Sequence, residues 1–279
     1  MGAKEKTAIA VIKKAAELAK TYSGQPLYLG FSGGKDSLAL YHLAERAGVE
    51  FEAWYNPTTL DPAENIRYIR QNFPNVRFSH PRLSFFDLVR EKGMLPTQMV
   101  RYCCAEFKER QGLGRVCAVG VRKAESMKRR NMTIAATKTA GGFTPLEDLR
   151  PLETACYGGG KEKIIVRPLL DWSEAEIWGY IRQNGLPINP LYKTCRRVGC
   201  LFCPMKPARE RLADMAARPH LFRRLLSAAT AVAPPPLSGE EYLEWWLSGQ
   251  SMRDYQQERE NRLPLEIPQS AIHALALRP

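Results

Sequence analysis

Apolar residues at helical spacing, separated by Lys every few positions, make residues 4–21 an amphipathic helix. The run QPLYLG at 25–30 is short and apolar and reads as a strand. Residues 37–47 return to the helical period and meet Gly48, which can end a helix in the left-handed conformation. Val49–Tyr55 predicts a second strand. Asp61 is a candidate cap for a helix with Pro62 at its first position, running to about Asn72. Val76–Ser79, Val116–Val121 and Lys163–Leu169 predict three further strands, and Phe85–Glu91 a helix. Ser173 with Glu176 forms a capping box for a helix ending at Gly185-Leu186-Pro187. Strands alternating with helices predict an α/β fold with a doubly wound, mainly parallel sheet.

The pattern breaks twice. Between residues 131 and 162 it dissolves into Thr, Gly and Pro and reads as a long excursion or flap. After Pro204 it becomes Ala-, Arg- and Leu-rich helices, punctuated by Pro234-Pro235-Pro236 and followed by Tyr242–Leu247 and Met252–Leu263. The expected division is an α/β domain over residues 1–205 and a helical C-terminal extension over 206–279. In that extension Tyr242, Trp245 and Trp246 read as a helix packing on a core.

Length and composition change this picture little. A chain of 279 residues with 44% hydrophobic and 25% charged residues is an ordinary globular protein that needs no disulfides. The Lys-interrupted N-terminus has no signal-peptide core, Lys6 breaks the myristoylation pattern, and no apolar run approaches the ~18 residues of a membrane helix. With an odd count of seven Cys, the expectation is a cytoplasmic protein without membrane association.

Charge changes it more. The net charge is +12, yet Arg101–Arg130 holds nine Lys/Arg against three Glu, and Lys193–Arg211 six against one. These two stretches carry nearly the whole excess, and six of the seven Cys. Positive charge focused in this way suits a polyphosphate or another anionic group.

Two local arrangements carry chemistry. The first follows the strand at 25–30: Ser32-Gly33-Gly34-Lys35-Asp36-Ser37, then a helix. Strand, Gly-rich turn and helix N-terminus form an anion site, with backbone N–H groups and the helix dipole facing the phosphates. Lys35 can neutralise phosphate, and Ser32 and Ser37 can donate hydrogen bonds. It is not a Walker A loop, because Gly30 is one residue too close and Asp36 follows Lys35. The second is Cys103-Cys104 with Cys200-Leu201-Phe202-Cys203. Cys-x-x-Cys lets two thiolates converge on a metal or cluster, and the adjacent pair supplies two more. Zinc and an iron–sulfur cluster both remain open on spacing alone. Cys117, inside RVCAVGV, and Cys156 read as buried apolar residues. The four His are scattered, and no H-E-x-x-H occurs.

SGGKDS resembles the PP-loop of the adenine nucleotide α-hydrolase superfamily, and the whole stretch from Pro26 to Met205 resembles its phosphoadenosine phosphosulfate (PAPS) reductase family, iron–sulfur subtype. Gly120-Val121-Arg122-Lys123-Ala124-Glu125-Ser126 is similar to the family's G-x-R-x-x-E-S segment. Arg167-Pro168-Leu169-Leu170-Asp171-Trp172, Ile177-Trp178, Asn184-Gly185-Leu186-Pro187 and Arg197-Val198-Gly199-Cys200 are similar to the segments before the second Cys pair, and Cys104 lies 96 positions from Cys200. The resemblance implies an adenine nucleotide α-hydrolase-like fold that binds ATP or a related adenine nucleotide. Ser32, Gly33, Gly34, Lys35, Asp36, Ser37, Gly120, Arg122, Glu125, Ser126 and Arg129 would line the nucleotide. Cys103, Cys104, Cys200 and Cys203 would hold a [4Fe–4S] cluster near it, with Zn the alternative.

One departure matters. Sulfonucleotide reductases finish with a tail bearing the Cys that attacks sulfur, and no Cys follows Cys203; the tail at Ile272-His273-Ala274-Leu275 has no thiol. This shifts the expectation toward pyrophosphate-releasing activation of a substrate for sulfur transfer, an ATP pyrophosphatase/sulfurtransferase type, similar to thiolation and DNA phosphorothioation enzymes. Lys35, Asp36, Arg122 and Cys195 are the expected catalytic residues. Asp36 is a candidate Mg²⁺-facing carboxylate, and Cys195, beside Arg196 and Arg197, a candidate thiolate. If Cys195 is the nucleophile, a reductase releasing sulfite is the alternative. A zinc-stapled nucleic-acid-binding module is the second alternative, supported by the charge and opposed by the loop. A sulfur donor or reductant protein is an expected partner; nucleic acid is a further candidate.

Overall fold

Leu27, Tyr28 and Leu29 are all buried, and the run forms β1 (Leu27–Gly30) at the centre of a parallel sheet. β2 (Phe51–Tyr55) pairs with it on one side and β4 (Val116–Ala118) on the other. β3 (Arg77–Phe78) extends the sheet beyond β2, and β7 (Lys163–Val166) extends it beyond β4, all in parallel. The computed structural model describes residues 2–139, 142–146 and 162–261. Among these the sheet has the order β3-β2-β1-β4-β7-β5-β6, with β5 (Ala135–Thr139) and β6 (Gly142–Leu146) antiparallel at the far edge. From β1 the chain runs outward through β2 and β3, then returns to β4 on the opposite side. In an open α/β sheet that reversal opens a crevice at the carboxyl ends of the two central strands.

The helices of this layer follow their sequence signals. α1 (Ala3–Ser23) buries Ala8, Val11, Ile12, Ala15 and Ala19 on one stripe and stops at Gly24, φ 65°. α2 (Lys35–Ala47) stops at Gly48, φ 64°. α6 (Glu174–Gln183) carries the expected capping box: Glu176 N–H donates to Ser173 Oγ at 3.2 Å, and Ser173 N–H to Glu176 Oε2 at 2.7 Å. α3 (Ala63–Asn72) departs from expectation. Pro62 rather than Asp61 stands at its cap, with no side-chain cap bond.

All five expected strands are shorter than their apolar runs, β1 and β2 by two residues each at their starts. Val76–Ser79 narrows to β3, Lys163–Leu169 to β7, and Val116–Val121 to β4, where Val119 N–H still reaches the Val166 carbonyl at 2.9 Å before the chain turns away. The excursion at 131–162 contains ordered strand. β5 lies against β7 with Ala135 opposite Val166 and Thr137 opposite Ile164, so small side chains are buried in the sheet where composition suggested a loop. Residues 147–161, with Cys156, lie outside the described residues, as do the end of the expected helix Met252–Leu263 and the tail at 272–275.

The chain divides into two compact units, and the division is not at residue 205. The sheet unit comprises Met1–Pro57, Asp61–His80 and Phe107–Gly199; the second comprises Thr58–Leu60, Pro81–Glu106 and Cys200–Pro279. The second unit is helical: α4 (Phe85–Lys92), α5 (Tyr102–Cys104), α7 (Ala208–Ala217), α8 (Pro219–Val232), α9 (Gly239–Ser248) and α10 (Met252–Asn261). The physical reason is the apolar face of α4. Phe85, Phe86, Leu88 and Val89 are at most 3% exposed, and the helices after Cys203 supply their cover. Arg224 of α8 lies 4.5 Å from the Phe86 ring centre, Leu95 N–H donates to Tyr242 Oη at 3.1 Å, and Trp246 Nε1 donates to the Pro96 carbonyl at 2.5 Å. The Tyr242–Trp246 helix packs as expected, and the C-terminal helices complete a unit begun 120 residues earlier.

Candidate functional site

The Ser32–Ser37 loop leaves β1 at its carboxyl end and enters α2. Gly33 has φ +75°, and a Cβ there would lie 2.3 Å from Asn65 Oδ1, so no other residue fits without displacing Asn65. Inside the loop, Ser32 N–H donates to Ser37 Oγ at 3.1 Å, and the Ser37 hydroxyl donates to the Gly34 carbonyl at 2.9 Å. Two buried amides tie its carbonyls back. Asn65 Nδ2 donates to Ser32 O at 3.2 Å; Asn189 Nδ2 donates to Gly33 O at 2.9 Å and to Asn65 Oδ1 at 2.7 Å. With its carbonyls engaged from behind, the loop presents the positive end of α2 to an anion. Lys35 N–H donates to Tyr192 Oη at 2.7 Å. Burial, reinforced by the charges of Asp36 and Cys195, pushes the Tyr192 phenol up to about 12, so it keeps its proton and can donate to a phosphate oxygen.

The second wall is the segment after β4. Gly120 packs so closely on the first turn of α2 that a Cβ would lie 2.9 Å from the Asp36 carbonyl carbon. Arg122, 2% exposed, donates from Nε to Asp36 Oδ1 at 2.5 Å and from Nη1 to the Trp172 carbonyl at 3.3 Å. The other Asp36 oxygen lies 3.3 Å from Lys35 Nζ, which is also 3.6 Å from Glu174 Oε1. Losing one partner of so buried a pair costs about 3–5 kcal/mol, so Arg122 anchors Asp36, and through it the start of α2. Glu125 accepts from Arg122 N–H at 3.0 Å and pairs with Arg129 through its other oxygen. Ser126 is exposed beside them. Burial, with the charge of Arg129 added, lowers the basicity of Arg167, whose Nη1 donates to the Thr133 carbonyl at 2.8 Å. Cys195 is half-buried, its N–H bonded to the Leu191 carbonyl at 2.9 Å and its sulfur within electrostatic reach of Tyr192.

The cysteine quartet lies within the helical unit. Cys103 and Cys104 form α5; Cys200 and Cys203 bracket the turn before α7. The Cys103 thiol is pushed up by its hydrogen bond with Cys104, then by burial, and then by the charges of Cys104, Cys200 and Cys203, so the four sulfurs share one neighbourhood. Among the described residues, no three His, Cys, Asp or Glu side chains converge closely enough to hold a single metal ion. The turn is held by α7. Phe202, fully buried with φ +55°, donates its N–H to Asp214 Oδ2 at 3.0 Å, and Lys206 Nζ reaches the same oxygen at 2.7 Å. A non-Gly residue held there costs about 1–3 kcal/mol of strain, offset by these fixed partners. On the other side, Tyr102 Oη donates to the Met94 carbonyl at 2.5 Å, while Tyr242 and Trp246 of α9 hold Leu95 and Pro96. Four soft sulfur donors are the ligand chemistry of thiolate-bound metal centres, and Arg211 of α7 is buried in the same unit.

The profile of the phosphoadenosine phosphosulfate reductase domain matches residues 26–206. The chain belongs to this family. Among curated relatives of this PAPS reductase-family protein, an uncharacterised Methanocaldococcus jannaschii protein is 26% identical over 79% of the chain, which spans about half of that relative's length. The sulfate adenylyltransferase subunit 2 of Brucella ovis is 29% identical over 65% of the chain and 64% of its own length. Among solved structures, the PAPS reductase of Candida auris in complex with phosphate aligns over 70% of this chain and 88% of its own, at 15% identity and a TM-score of 0.43.

Within this PAPS reductase-family sheet, Ser32–Ser37, Gly120, Arg122, Glu125 and Arg129 come together at the ends of β1 and β4. Four residues that the sequence did not single out join them: Asn65, Asn189, Tyr192 and Glu174. The one local signal was Asn189-Pro190, in which Asn189 Oδ1 caps a short 3₁₀ turn by accepting Leu191 N–H at 3.0 Å and so places Tyr192.

Proposed function

We propose that the protein activates a substrate with ATP, or a related adenine nucleotide, and serves sulfur transfer. The observation that carries this reading is the Ser32–Ser37 loop, clamped from behind by Asn65 and Asn189 at the reversal point of the sheet. A substrate oxygen attacks the α-phosphorus, the bond to the bridging oxygen breaks, and pyrophosphate leaves. Sulfide delivered by a donor protein then attacks the activated substrate atom, that atom's bond to the bridging oxygen breaks, and the nucleoside monophosphate leaves. In this reading the α2 N-terminus, Lys35, the Tyr192 hydroxyl and Arg129 stabilise charge on the departing pyrophosphate. Asp36, oriented by Arg122, keeps lone pairs for Mg²⁺. The quartet Cys103, Cys104, Cys200 and Cys203 would hold a [4Fe–4S] centre, which with all four irons ligated would supply electrons. The basic excess makes a nucleic acid one candidate acceptor.

A second reading, sulfonucleotide reduction to sulfite and an adenosine phosphate, is favoured by Cys195. It gives the sheet unit a thiol near Tyr192, able to attack sulfur.

Anaerobic purification and two assays separate the readings. The first expects bound iron and acid-labile sulfide, lost in Cys103→Ser and Cys200→Ser but kept in Cys117→Ala, and acceptor-dependent pyrophosphate release that Lys35→Ala abolishes. Sulfite release from PAPS with a dithiol, abolished by Cys195→Ser, selects the second. Zinc without sulfide refutes the cluster, and no turnover in either assay refutes both readings.

A further inference from the structure

We propose that Arg211 is the counter-cation of the cysteine-bound centre, its buried Nε–H a donor reserved for a sulfur of that centre. This rests on the cluster reading above. Arg211 sits on α7 one turn before Asp214, the residue that holds the Cys200–Cys203 turn, so both project from one face of the helix. It is 3% exposed. Nη1 donates to the Trp246 carbonyl at 2.8 Å and Nη2 to the Leu247 carbonyl at 2.9 Å, and the guanidinium lies 4.8 Å from the Trp246 ring centre. Those bonds fix its plane and join α7 to the end of α9, and they are made to neutral groups. The third donor, Nε, is buried without an acceptor among the described residues.

An orphaned charged donor in a protein interior is costly unless a partner arrives. The helix that carries Arg211 also holds the cysteine turn, because Asp214, one turn further on, accepts Phe202 N–H between Cys200 and Cys203 at 3.0 Å. Four thiolates on a [4Fe–4S] core make a dianion, which gains another negative charge on reduction. A fixed cation and an N–H···S bond both favour the more negative state and raise the reduction potential. Arg211 is therefore a positioning and tuning residue, and the C-terminal helices serve the centre by carrying it.

The test uses the full chain, loaded anaerobically, as wild type, Arg211→Met and Arg211→Lys. All three are expected to bind iron and sulfide in the same ratio. At a fixed potential Arg211→Met should shift the reduced-to-oxidised ratio about tenfold toward oxidised, ~59 mV for a one-electron couple. Arg211→Lys, which keeps the charge and lacks Nε, should stay within about twofold of wild type while its iron–thiolate stretch in resonance Raman moves to higher frequency. A loaded Arg211→Met protein with an unmoved ratio overturns the proposal and leaves the cluster reading standing. If that variant does not fold, an unmoved stretch in Arg211→Lys overturns it. Wild-type protein that binds no iron overturns the cluster reading and this proposal together.

Discussion

Gly33→Ala tests whether the phosphate loop is built as described. The residue has φ +75°, which costs an L-residue about 1–2 kcal/mol. Its new Cβ would lie 2.3 Å from Asn65 Oδ1, so Asn65 must move. That amide donates to Ser32 O and Tyr55 Oη and accepts from Asn189. Losing two of these bonds costs about 1 kcal/mol each. The reduced entropy of the unfolded chain returns about 0.4–1 kcal/mol. The net expectation is about 3 kcal/mol, or a melting point lower by about 10 °C. ATP affinity should fall at least ~10-fold, equivalent to 1.4 kcal/mol, because the carbonyls that Asn65 and Asn189 hold back are released toward the phosphates. Gly34→Ala is the control for stability alone, since Gly34 itself belongs to the phosphate loop. Gly34 has φ −90°, and its Cβ would meet Ser32 Oγ and Tyr192 Oη at 3.4 Å, an ordinary contact. Thermal unfolding followed by circular dichroism and ATP titration calorimetry read both effects. A Gly33→Ala protein that melts within about 3 °C of wild type and binds ATP equally well refutes the account of the loop.

Two further outcomes are expected. Asn189→Ala removes a 1%-exposed amide that bonds Gly33 O, Asn65 Oδ1 and Leu191 N, and should cost about 2–4 kcal/mol in urea unfolding and weaken ATP binding; unchanged affinity would mean the clamp does not shape the site. Glu176 is held at about 2 by Lys4 first and then by the Ser173 backbone and hydroxyl; its contribution is complete above the ordinary carboxylate range and is lost as pH falls toward 2. Because the pair is exposed, Glu176→Gln should lower stability at pH 7 by no more than about 1 kcal/mol. The gap to wild type should close on acidification, and a gap that widens on acidification would contradict the sign.

The alternation of apolar runs with helical stretches determined the α/β class. Local chemistry at Ser32–Ser37, the Cys pairs and the Ser173 capping box marked the loop, the quartet and a helix start. These features are legible because their physics acts over a few residues: one strand period, one turn, one Cys-x-x-Cys. Tertiary structure decided the rest, because its partners are distant along the chain. The phosphate loop is shaped by Asn65, Asn189 and Tyr192, up to 157 positions away, and nothing in an isolated Asn or Tyr announces that its side chain will replace water at a particular buried backbone group. Arg122 read as a ligand for phosphate; folding buried it and turned it onto Asp36. The strand at 135–139 was hidden by its small residues; Ala135, Ala136 and Thr137 are buried where it pairs with β7. The domain boundary moved for a similar reason. The apolar face of α4 and the first Cys pair carry no mark of where they will be covered, and the cover is supplied by helices that begin after the second pair.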